Sequence, residues 1–247
     1  MVEGKKIIVV IPAYNAAKTL ASTYQDIPRD IVDEIILVDD HSDDDTIEIA
    51  RSLGIAHIIG HNRNLGYGAN QKTCYTKALE LEADVVIMLH ADYQYDPKKI
   101  EKLVHEIVYE KHDVVLASRM KENTALSLGM PFYKYVANII LTKIQNLATS
   151  QDISEYHTGY RAFTKKALEK SSFTNYSDDF IFDNQIIMSL MYKKLKFGEI
   201  SCPAKYFKEA SSIGLLKSTK YGLLVLFETS RYLLAKMRIY VHPYYKD

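Results

Sequence analysis

Residues 89–97 read L-H-A-D-Y-Q-Y-D-P and place three polar side chains at alternating positions directly after the apolar run V-V-I-M. Side chains alternate between the two sides of an extended backbone, so His90, Asp92 and Gln94 are expected on one side. Each carries a nitrogen or oxygen atom that can ligate a divalent cation or hydrogen-bond a substrate. The stretch therefore predicts a binding site at the end of a buried strand.

Other polar stretches also follow apolar runs. P-A-Y-N at residues 12–15 comes after the first run, and D-D-H-S at residues 39–42 comes after the second. The loop N-L-G-Y-G-A-N at residues 64–70 contains Gly66 and Gly68, which let the backbone approach a ligand closely before a helix begins. Taken alone, the acidic stretch is more typical of a turn that leads into a helix than of a binding site.

The apolar runs predict the elements that position these residues. Strands are expected at residues 6–11, 34–38, 56–59, 84–89 and 113–117. Helices are expected between them, at residues 17–24, 44–53, 68–81 and 97–110, with Asp43 and Asp96 as caps. Such alternation predicts an α/β fold with a Rossmann-like, mostly parallel sheet flanked by helices. Ligands of these sheets bind at the carboxyl ends of the strands, where the polar stretches lie.

Length and composition limit the classes of protein. The 247 residues, 47% of them hydrophobic, suffice for one large domain, expected over residues 1–205, with a tail over residues 206–247. A formal net charge of +0 argues against nucleic acid as a partner. The two cysteines are typical of a reducing compartment. The first apolar run is too short for a secretion signal or a spanning helix.

Six motifs, in this order, resemble those of the family 2 glycosyltransferases, which have the GT-A fold. They are I-P-A-Y-N, I-I-L-V-D-D-H-S-D-D-D-T, N-L-G-Y-G-A-N, the acidic motif at Asp92, L-A-S-R-M and H-T-G-Y-R-A-F. The resemblance extends over residues 7–195. Within the family, the sequence is most similar to the branch that contains dolichol-phosphate mannose synthase, because of the D-x-Q pair and the T-G-Y-R-A-F segment.

The resemblance implies a binding site for the nucleotide of a sugar donor. Pro12, Tyr14 and Asp39 are expected near the base and Asp40 near the ribose. The full set implied for nucleotide binding is Pro12, Tyr14, Asn15, Asp39, Asp40, Asn64, Gly66, Gly68, Ala91 and Asp92. A carboxylate suits this task because it accepts hydrogen bonds from ring N–H groups and from ribose hydroxyls.

The resemblance also implies a divalent metal, Mg²⁺ or Mn²⁺, held at Asp92 and Gln94. His90 stands where the family has the first aspartate of its D-x-D motif. It either ligates the metal and favours Mn²⁺, or leaves coordination to Asp92, Gln94, water and phosphate, which is the interpretation we favour. The structural alternative is a buried histidine whose ring is hydrogen-bonded to the backbone.

Four further residues resemble catalytic positions of the family. Arg119 and Arg161 are expected to contact phosphate, and each has a buried structural ion pair as its alternative. The segment D-D-F-I-F-D-N-Q at residues 178–185 precedes a helix expected over residues 184–193. Asp183, and after it Asp179, is the candidate for facing the acceptor, with helix capping as the alternative. Glu155 and His157 carry no assigned role.

The tail bears on the acceptor. From Lys205 onward it holds eight Lys or Arg residues and three acids, with apolar residues between them. Residues 218–240 are expected to form a helix that packs on the core, with docking at a membrane surface as the alternative. The polar loop at residues 208–212 is expected to close over the diphosphate.

These observations predict an inverting, metal-dependent glycosyltransferase. It would move a sugar from a GDP- or UDP-sugar to a polyprenyl phosphate, in the cytoplasm or at the inner face of the membrane, with a homodimer left open. A glycan hydroxyl is the alternative acceptor, and a non-catalytic nucleotide-sugar binding module is the alternative class. A nucleotidyltransferase would need a Gly-rich, Lys-bearing loop after the first strand, where this chain has P-A-Y-N.

Overall fold

The fold is described from a computed structural model that covers residues 1–206 and 214–246. The loop expected over the diphosphate, residues 208–212, lies outside the described residues. Seven strands form one sheet: β1 Ile7–Ala13, β2 Glu34–Asp39, β3 His57–Gly60, β4 Val85–Met88, β5 Val114–Ser118, β6 Arg161–Thr164 and β7 Phe197–Ser201. Their order across the sheet is β3-β2-β1-β4-β6-β5-β7. The mostly parallel α/β fold expected from the sequence is confirmed.

The sheet is parallel except at β6. This strand runs antiparallel to both of its neighbours, β4 and β5. The five strands expected from apolar runs are present, whereas β6 and β7 were not expected. Their sequences, R-A-F-T and F-G-E-I-S, contain an arginine, a glutamate and a glycine, so no apolar run marks them. Central parallel strands are buried on both faces, and all seven residues of β1 are buried accordingly.

In the described part of the chain, eight α-helices surround the sheet: α1 Leu20–Gln25, α2 Thr46–Ser52, α3 Tyr67–Glu80, α4 Ile100–Val108, α5 Phe132–Thr149, α6 Lys165–Ser171, α7 Phe182–Tyr192 and α8 Leu215–Lys236. Helix α5 was not expected from the sequence. The cap expected at Asp43 is wrong, because the Asp43 N–H donates to Asn15 Oδ1 and it is Asp44 that accepts from the Thr46 N–H. Asp96 does cap a short 3₁₀ turn, since its side chain accepts from the Lys98 N–H.

Two apolar layers, one on each face of the sheet, form the core. Ile8 and Val10 of β1 belong to the layer that includes side chains of α3, α7 and α8, whereas Ile7 and Val9 belong to the layer that includes α4. This is the alternation that a strand imposes on its side chains. Helix α8 belongs to the first layer through Tyr232 and Ala235. The domain boundary expected at residue 205 stays a prediction.

Gly66 and Gly68 allow a close approach, but its partner is the protein backbone. The Gly68 N–H donates to the Asp178 carbonyl at 2.7 Å, and a Cβ atom on Gly66 would lie 2.7 Å from the same oxygen. Gly66 also has φ of +101°, a conformation that favours glycine. The start of α3 is thus fitted to the loop before α7, and the expected contact of Gly66 and Gly68 with a ligand stays a prediction.

Within the described ranges 1–206 and 214–246, no helix is long and apolar enough to cross a membrane. Helix α8 is 22 residues long but contains several charged and polar side chains. It packs against α5 and α7.

Candidate active site

A cavity of about 920 Å³ opens at the carboxyl ends of β1, β4 and β5. Most of the residues expected at the site from the sequence line it: Pro12, Tyr14, Asn15, Asp40, Asn64, Gly66, His90, Ala91, Asp92, Gln94, Arg119, Asp179 and Asp183. Asp39, Gly68 and Arg161 are not among its lining residues. The sheet therefore brings together stretches that are far apart in the sequence, as expected for the strand ends of a parallel sheet.

The two acidic residues after β2 hold the surrounding loops. Asp39 is 1% exposed and accepts hydrogen bonds from the N–H and the hydroxyl of Ser42. Asp40 accepts from the N–H groups of Leu65 and Gly66 at 2.8 and 2.9 Å. The Asp40 carboxylate thereby fixes the loop that carries Asn64, while still lining the cavity.

Asp92 and Gln94 lie on the cavity wall beyond β4, where a divalent ion is expected. The Asp92 carboxylate accepts from the Gln94 N–H at 3.0 Å, which fixes the turn between them. Among the described residues, no three His, Cys, Asp or Glu side chains converge as metal ligands. The residues present fit an ion that takes one carboxylate and an amide oxygen from the protein and its other ligands from phosphate and water, as Mg²⁺ commonly does.

His90 is half-buried between aromatic rings. Its ring centroid lies 5.7 Å from that of Tyr67 and 5.9 Å from that of Tyr95. Its Nε2 atom is 3.3 Å from the Tyr67 hydroxyl and packs against Gly159, where a Cβ atom would collide with it. Burial lowers the pKa of His90, against the opposing charges of Asp92 and Asp183. The alternative stated from the sequence was a buried histidine whose ring is hydrogen-bonded to the backbone. His90 matches it only in part, because its ring nitrogen contacts a tyrosine hydroxyl and not a backbone group.

Arg161 forms a buried ion pair, the alternative stated for it from the sequence. Its Nη1 atom lies 2.9 Å from Asp183 Oδ1, and its side chain is fully buried. Arg161 is not among the residues that line the cavity, and its expected contact with phosphate stays a prediction. Asp183 also accepts from the Tyr67 hydroxyl at 2.8 Å and from Gln71 Nε2 at 2.9 Å.

Tyr67 was not expected at the site. It lies between the two glycines of the loop before α3 and lines the cavity. Burial and the adjacent Asp183 charge raise the pKa of Tyr67 well above its usual value, so its hydroxyl stays protonated and donates. Its signal in the sequence is an aromatic residue between two glycines. Of these three residues, only the glycines were expected to matter for binding.

Arg119 reaches the cavity and is held by Glu155. The Arg119 N–H and Nε atoms donate to the two oxygens of Glu155 at 2.7 and 2.9 Å. Burial raises the pKa of Glu155, but the ion pair and hydrogen bonds with Arg119 outweigh it, so the net shift is downward. Asn138 of α5 donates to Glu155 at 2.7 Å as well. Glu155, which carried no expected role, thus positions Arg119.

Two lysines that the sequence did not single out also line the cavity, Lys134 of α5 and Lys217 of α8. Burial and the nearby Arg119 charge lower the pKa of Lys134. Asp179 lines the same part of the cavity, with its carboxylate 3.1 Å from Lys220 Nζ. Neither Asp179 nor Asp183 caps α7, whose N-cap is Ile181.

The two ends of the cavity differ in polarity. The end at β1 and β4 is lined by polar side chains such as Asn15, Asn64 and Asp92. The other end lies between α5 and α8 and is lined mainly by apolar residues, namely Met130, Ala137, Ile140, Leu141, Leu223 and Leu226. Arg119 and the two lysines also line the cavity, so it offers cationic groups to a bound anion.

The sheet order and the cavity at its strand ends define a GT-A fold. A family model for glycosyl transferase family 2 matches residues 8–172, and the chain belongs to this family. An uncharacterised protein of Methanocaldococcus jannaschii is 30% identical over 219 residues, which are 89% of each chain. A UDP-N-acetylglucosamine–dolichyl-phosphate N-acetylglucosaminyltransferase of Methanococcus voltae is 29% identical over 85% of this chain and 90% of that protein.

A more distant relative is the undecaprenyl-phosphate 4-deoxy-4-formamido-L-arabinose transferase of Yersinia pestis, which is 30% identical over 67% of this chain and 50% of that protein. Among solved structures, glucosyl-3-phosphoglycerate synthase from Mycobacterium tuberculosis, in complex with Mn²⁺, UDP-glucose and glycerol 3-phosphate, has a TM-score of 0.69 at 16% identity. The similarity covers 94% of this chain and 80% of that chain. Because the sequence identity is low, this structural similarity establishes the fold alone.

The two candidate aspartates are expected to differ sharply in their effect on stability. Asp183→Ala leaves the buried Arg161 without its partner, so we expect the free energy of unfolding to fall by about 3 to 5 kcal/mol. Asp179→Ala removes an exposed pair with Lys220 and should cost less than about 1 kcal/mol. Urea denaturation of both variants measures the difference. Equal losses would contradict the structural role given to Asp183.

Proposed function

We propose that the protein transfers a sugar from a nucleotide-diphosphate sugar to a polyprenyl phosphate, with inversion at the anomeric carbon. One observation carries the proposal: a single cavity is polar at the strand ends and apolar between α5 and α8, with cationic side chains on its wall. A nucleotide and an isoprenoid chain need opposite surroundings, and a phosphate is common to both substrates. The relatives named above include enzymes of dolichyl phosphate and undecaprenyl phosphate.

At the polar end, the nucleotide would lie along Pro12, Tyr14 and Asn15. The Tyr14 side chain is 52% exposed at the cavity, so one face of its ring is available for stacking on a base. The Asp40 carboxylate already accepts hydrogen bonds from the loop. It could accept one more from a ribose hydroxyl with the lone pairs that those bonds leave unused. Asp39 would not contact the nucleotide itself, because its carboxylate accepts hydrogen bonds from Ser42. It would instead hold the loop that carries Ser42 in place.

A divalent ion, Mg²⁺ or Mn²⁺, would be held at Asp92 and Gln94, next to the diphosphate. When bound there, such an ion neutralises charge on the leaving nucleotide diphosphate. We place His90 behind this site rather than in it, because its ring nitrogen Nε2 faces Tyr67 and Gly159. His90 would then orient the wall that carries Asp92.

At the apolar end, the acceptor phosphate would meet Arg119, with Lys134 and Lys217 as further cations on the wall. Because Nε and Nη2 of Arg119 donate to Glu155, the nitrogen left for a phosphate is Nη1, which contacts only the Tyr206 hydroxyl, at 3.4 Å. Glu155 holds the Arg119 guanidinium in place, so little conformational freedom is lost when phosphate binds. The isoprenoid chain would leave the cavity between α5 and α8, past Ile140 and Leu223.

The chemistry favours a phosphate over a hydroxyl as nucleophile. An acceptor phosphate oxygen attacks the anomeric carbon, a new carbon–oxygen bond forms, and the bond to the diphosphate breaks. The attacking oxygen is already ionised, so no general base is required, whereas a sugar hydroxyl needs one. Both candidate bases are engaged, Asp183 with Arg161 and Asp179 with Lys220. Their engagement supports the acceptor that needs no base.

The donor site is tested by Asp92→Asn, which keeps the shape of the side chain and removes its charge. We expect Mn²⁺-dependent binding of UDP or GDP, measured by calorimetry, to weaken about tenfold or more, as for a lost charged interaction. Asp178→Asn is the matched control, because Asp178 pairs with Lys72 and does not line the cavity. Unchanged Mn²⁺-dependent binding in Asp92→Asn would remove Asp92 from the donor site.

The acceptor is tested by offering UDP- and GDP-sugars with Mn²⁺ or Mg²⁺ and, in separate reactions, a short polyprenyl phosphate in detergent or free oligosaccharides. We expect mass spectrometry to detect a glycosylated polyprenyl phosphate, and Lys134→Gln to raise the KM for that acceptor about tenfold. Lys102→Gln, on the exposed side of α4, is the control. Transfer only to an oligosaccharide would assign a hydroxyl acceptor. Nucleotide-sugar binding without transfer to either would identify a binding module.

A further inference from the structure

Helix α5 has its polar side chains buried and large apolar side chains exposed. Asn138, Thr142, Gln145 and Thr149 are buried against the core, where Asn138 donates to Glu155 and Gln145 pairs with Asn184. The opposite side exposes Tyr133, Ile140, Ile144 and Leu147, at a spacing of seven, four and three residues. This spacing puts the four on one stripe of the helix. The stripe ends with Leu147, whose side chain is 85% exposed.

Helix α8, which packs beside α5, also exposes apolar residues, although its buried side is mixed. That side includes Val225, Tyr232 and Ala235 as well as Glu228 and Thr229, and Glu228 is 2% exposed and accepts from Gln185 Nε2 at 3.0 Å. The exposed side of α8 carries five large apolar residues, Leu216, Leu223, Leu226, Phe227 and Leu233, and Met237 follows directly after the helix. The exposed apolar side chains of α5 and α8, which we call the α5–α8 face, form an apolar surface of a kind that marks an interaction site.

The charged side chains of α5 and α8 themselves are nearly all cationic, although Asp179 pairs with Lys220 at the start of α8. The two helices contain six Lys or Arg residues and one acid, Glu228, which is buried. Lys143 of α5 and Lys217 and Lys236 of α8 are exposed. Exposed cations beside an apolar stripe are the composition of a helix that lies in the interface of an anionic membrane.

We propose that the α5–α8 face binds the surface of an anionic lipid bilayer, with its apolar side chains inserted below the headgroups. A second copy of this chain fits less well, because a two-fold contact would bring the same cations against one another. Neither helix is apolar enough to span the bilayer, so both would lie along it. Binding of the α5–α8 face to a bilayer does not depend on the reaction that the protein catalyses. Delivery of a lipid acceptor by this contact does rest on the proposed function.

The α5–α8 face is continuous with the cavity. Tyr133, Ile140, Leu223 and Leu226 are exposed on the face and also line the cavity. A bilayer in contact with the face would therefore meet the apolar end of the cavity directly. A lipid acceptor could enter between α5 and α8 without exposing its isoprenoid chain to water, and the exposure of that apolar chain would be unfavourable.

The test is co-sedimentation of the 247-residue protein with vesicles that contain no polyprenyl phosphate. We expect binding to phosphatidylcholine vesicles that include phosphatidylglycerol, weaker binding to phosphatidylcholine alone, and a decrease with added salt. The double variant Leu147→Glu with Phe227→Glu should lower the partition coefficient about tenfold or more. Neither residue lines the cavity, and both are more than half exposed. Tyr109→Glu, an exposed aromatic residue outside the face, is the matched control.

Circular dichroism and a thermal melt that match those of wild type verify that the double variant is folded. Wild-type protein that stays in the supernatant with every vesicle, or a double variant that sediments as wild type does, would overturn the proposal. A wild-type dimer in light scattering that the double variant converts to a monomer would assign the face to a second copy and would also overturn it. Failure of sugar transfer to polyprenyl phosphate would leave the vesicle result unaffected, so the two proposals fail separately.

Discussion

The buried ion pair between Arg161 and Asp183 is the constraint on which the cavity depends. Arg161 lies on β6, the antiparallel strand inserted between β4 and β5, and Asp183 lies in the first turn of α7. Tyr67 and Gln71 of α3 donate to the same carboxylate. Three elements are thereby fixed around one charge pair. An unpaired charge at this depth would be costly, so the wall behind His90 has little freedom to rearrange.

The second organising feature is the reversed polarity of α5. Its buried Asn138 supports Glu155, which in turn holds Arg119. Its exposed apolar residues, together with those of α8, form the surface that we propose to contact a lipid bilayer. Helix α5 therefore positions Arg119 on its inner side and presents an apolar surface on its outer side. A water-soluble acceptor would require only the first of these properties, whereas a lipid acceptor makes use of both.

Much of the fold could be predicted from the sequence, because β1 to β5 are apolar runs and the polar stretches after them meet at one edge of the sheet. Helix α5 and strands β6 and β7 could not. In α5 the polar residues face the core, so its apolar periodicity points outward, and β6 begins with a buried arginine. The partners of Asp183 and Glu155 lie in other elements, at separations that local patterns do not encode. The glycines at 66 and 68 indicated a close approach without revealing that its partner was the loop at 177–178.

The proposed function requires that donor and lipid acceptor occupy opposite ends of a single cavity. Photo-crosslinking tests it most directly, with a polyprenyl phosphate that carries a diazirine in its first isoprene units, in the presence of a nucleotide diphosphate and Mn²⁺. The account predicts adducts on the cavity-lining side chains of α5 and α8, among them Leu141 and Leu223, with the nucleotide still bound. Adducts at Tyr14 and Asn64 that the nucleotide displaces, or adducts only outside the cavity, would contradict it.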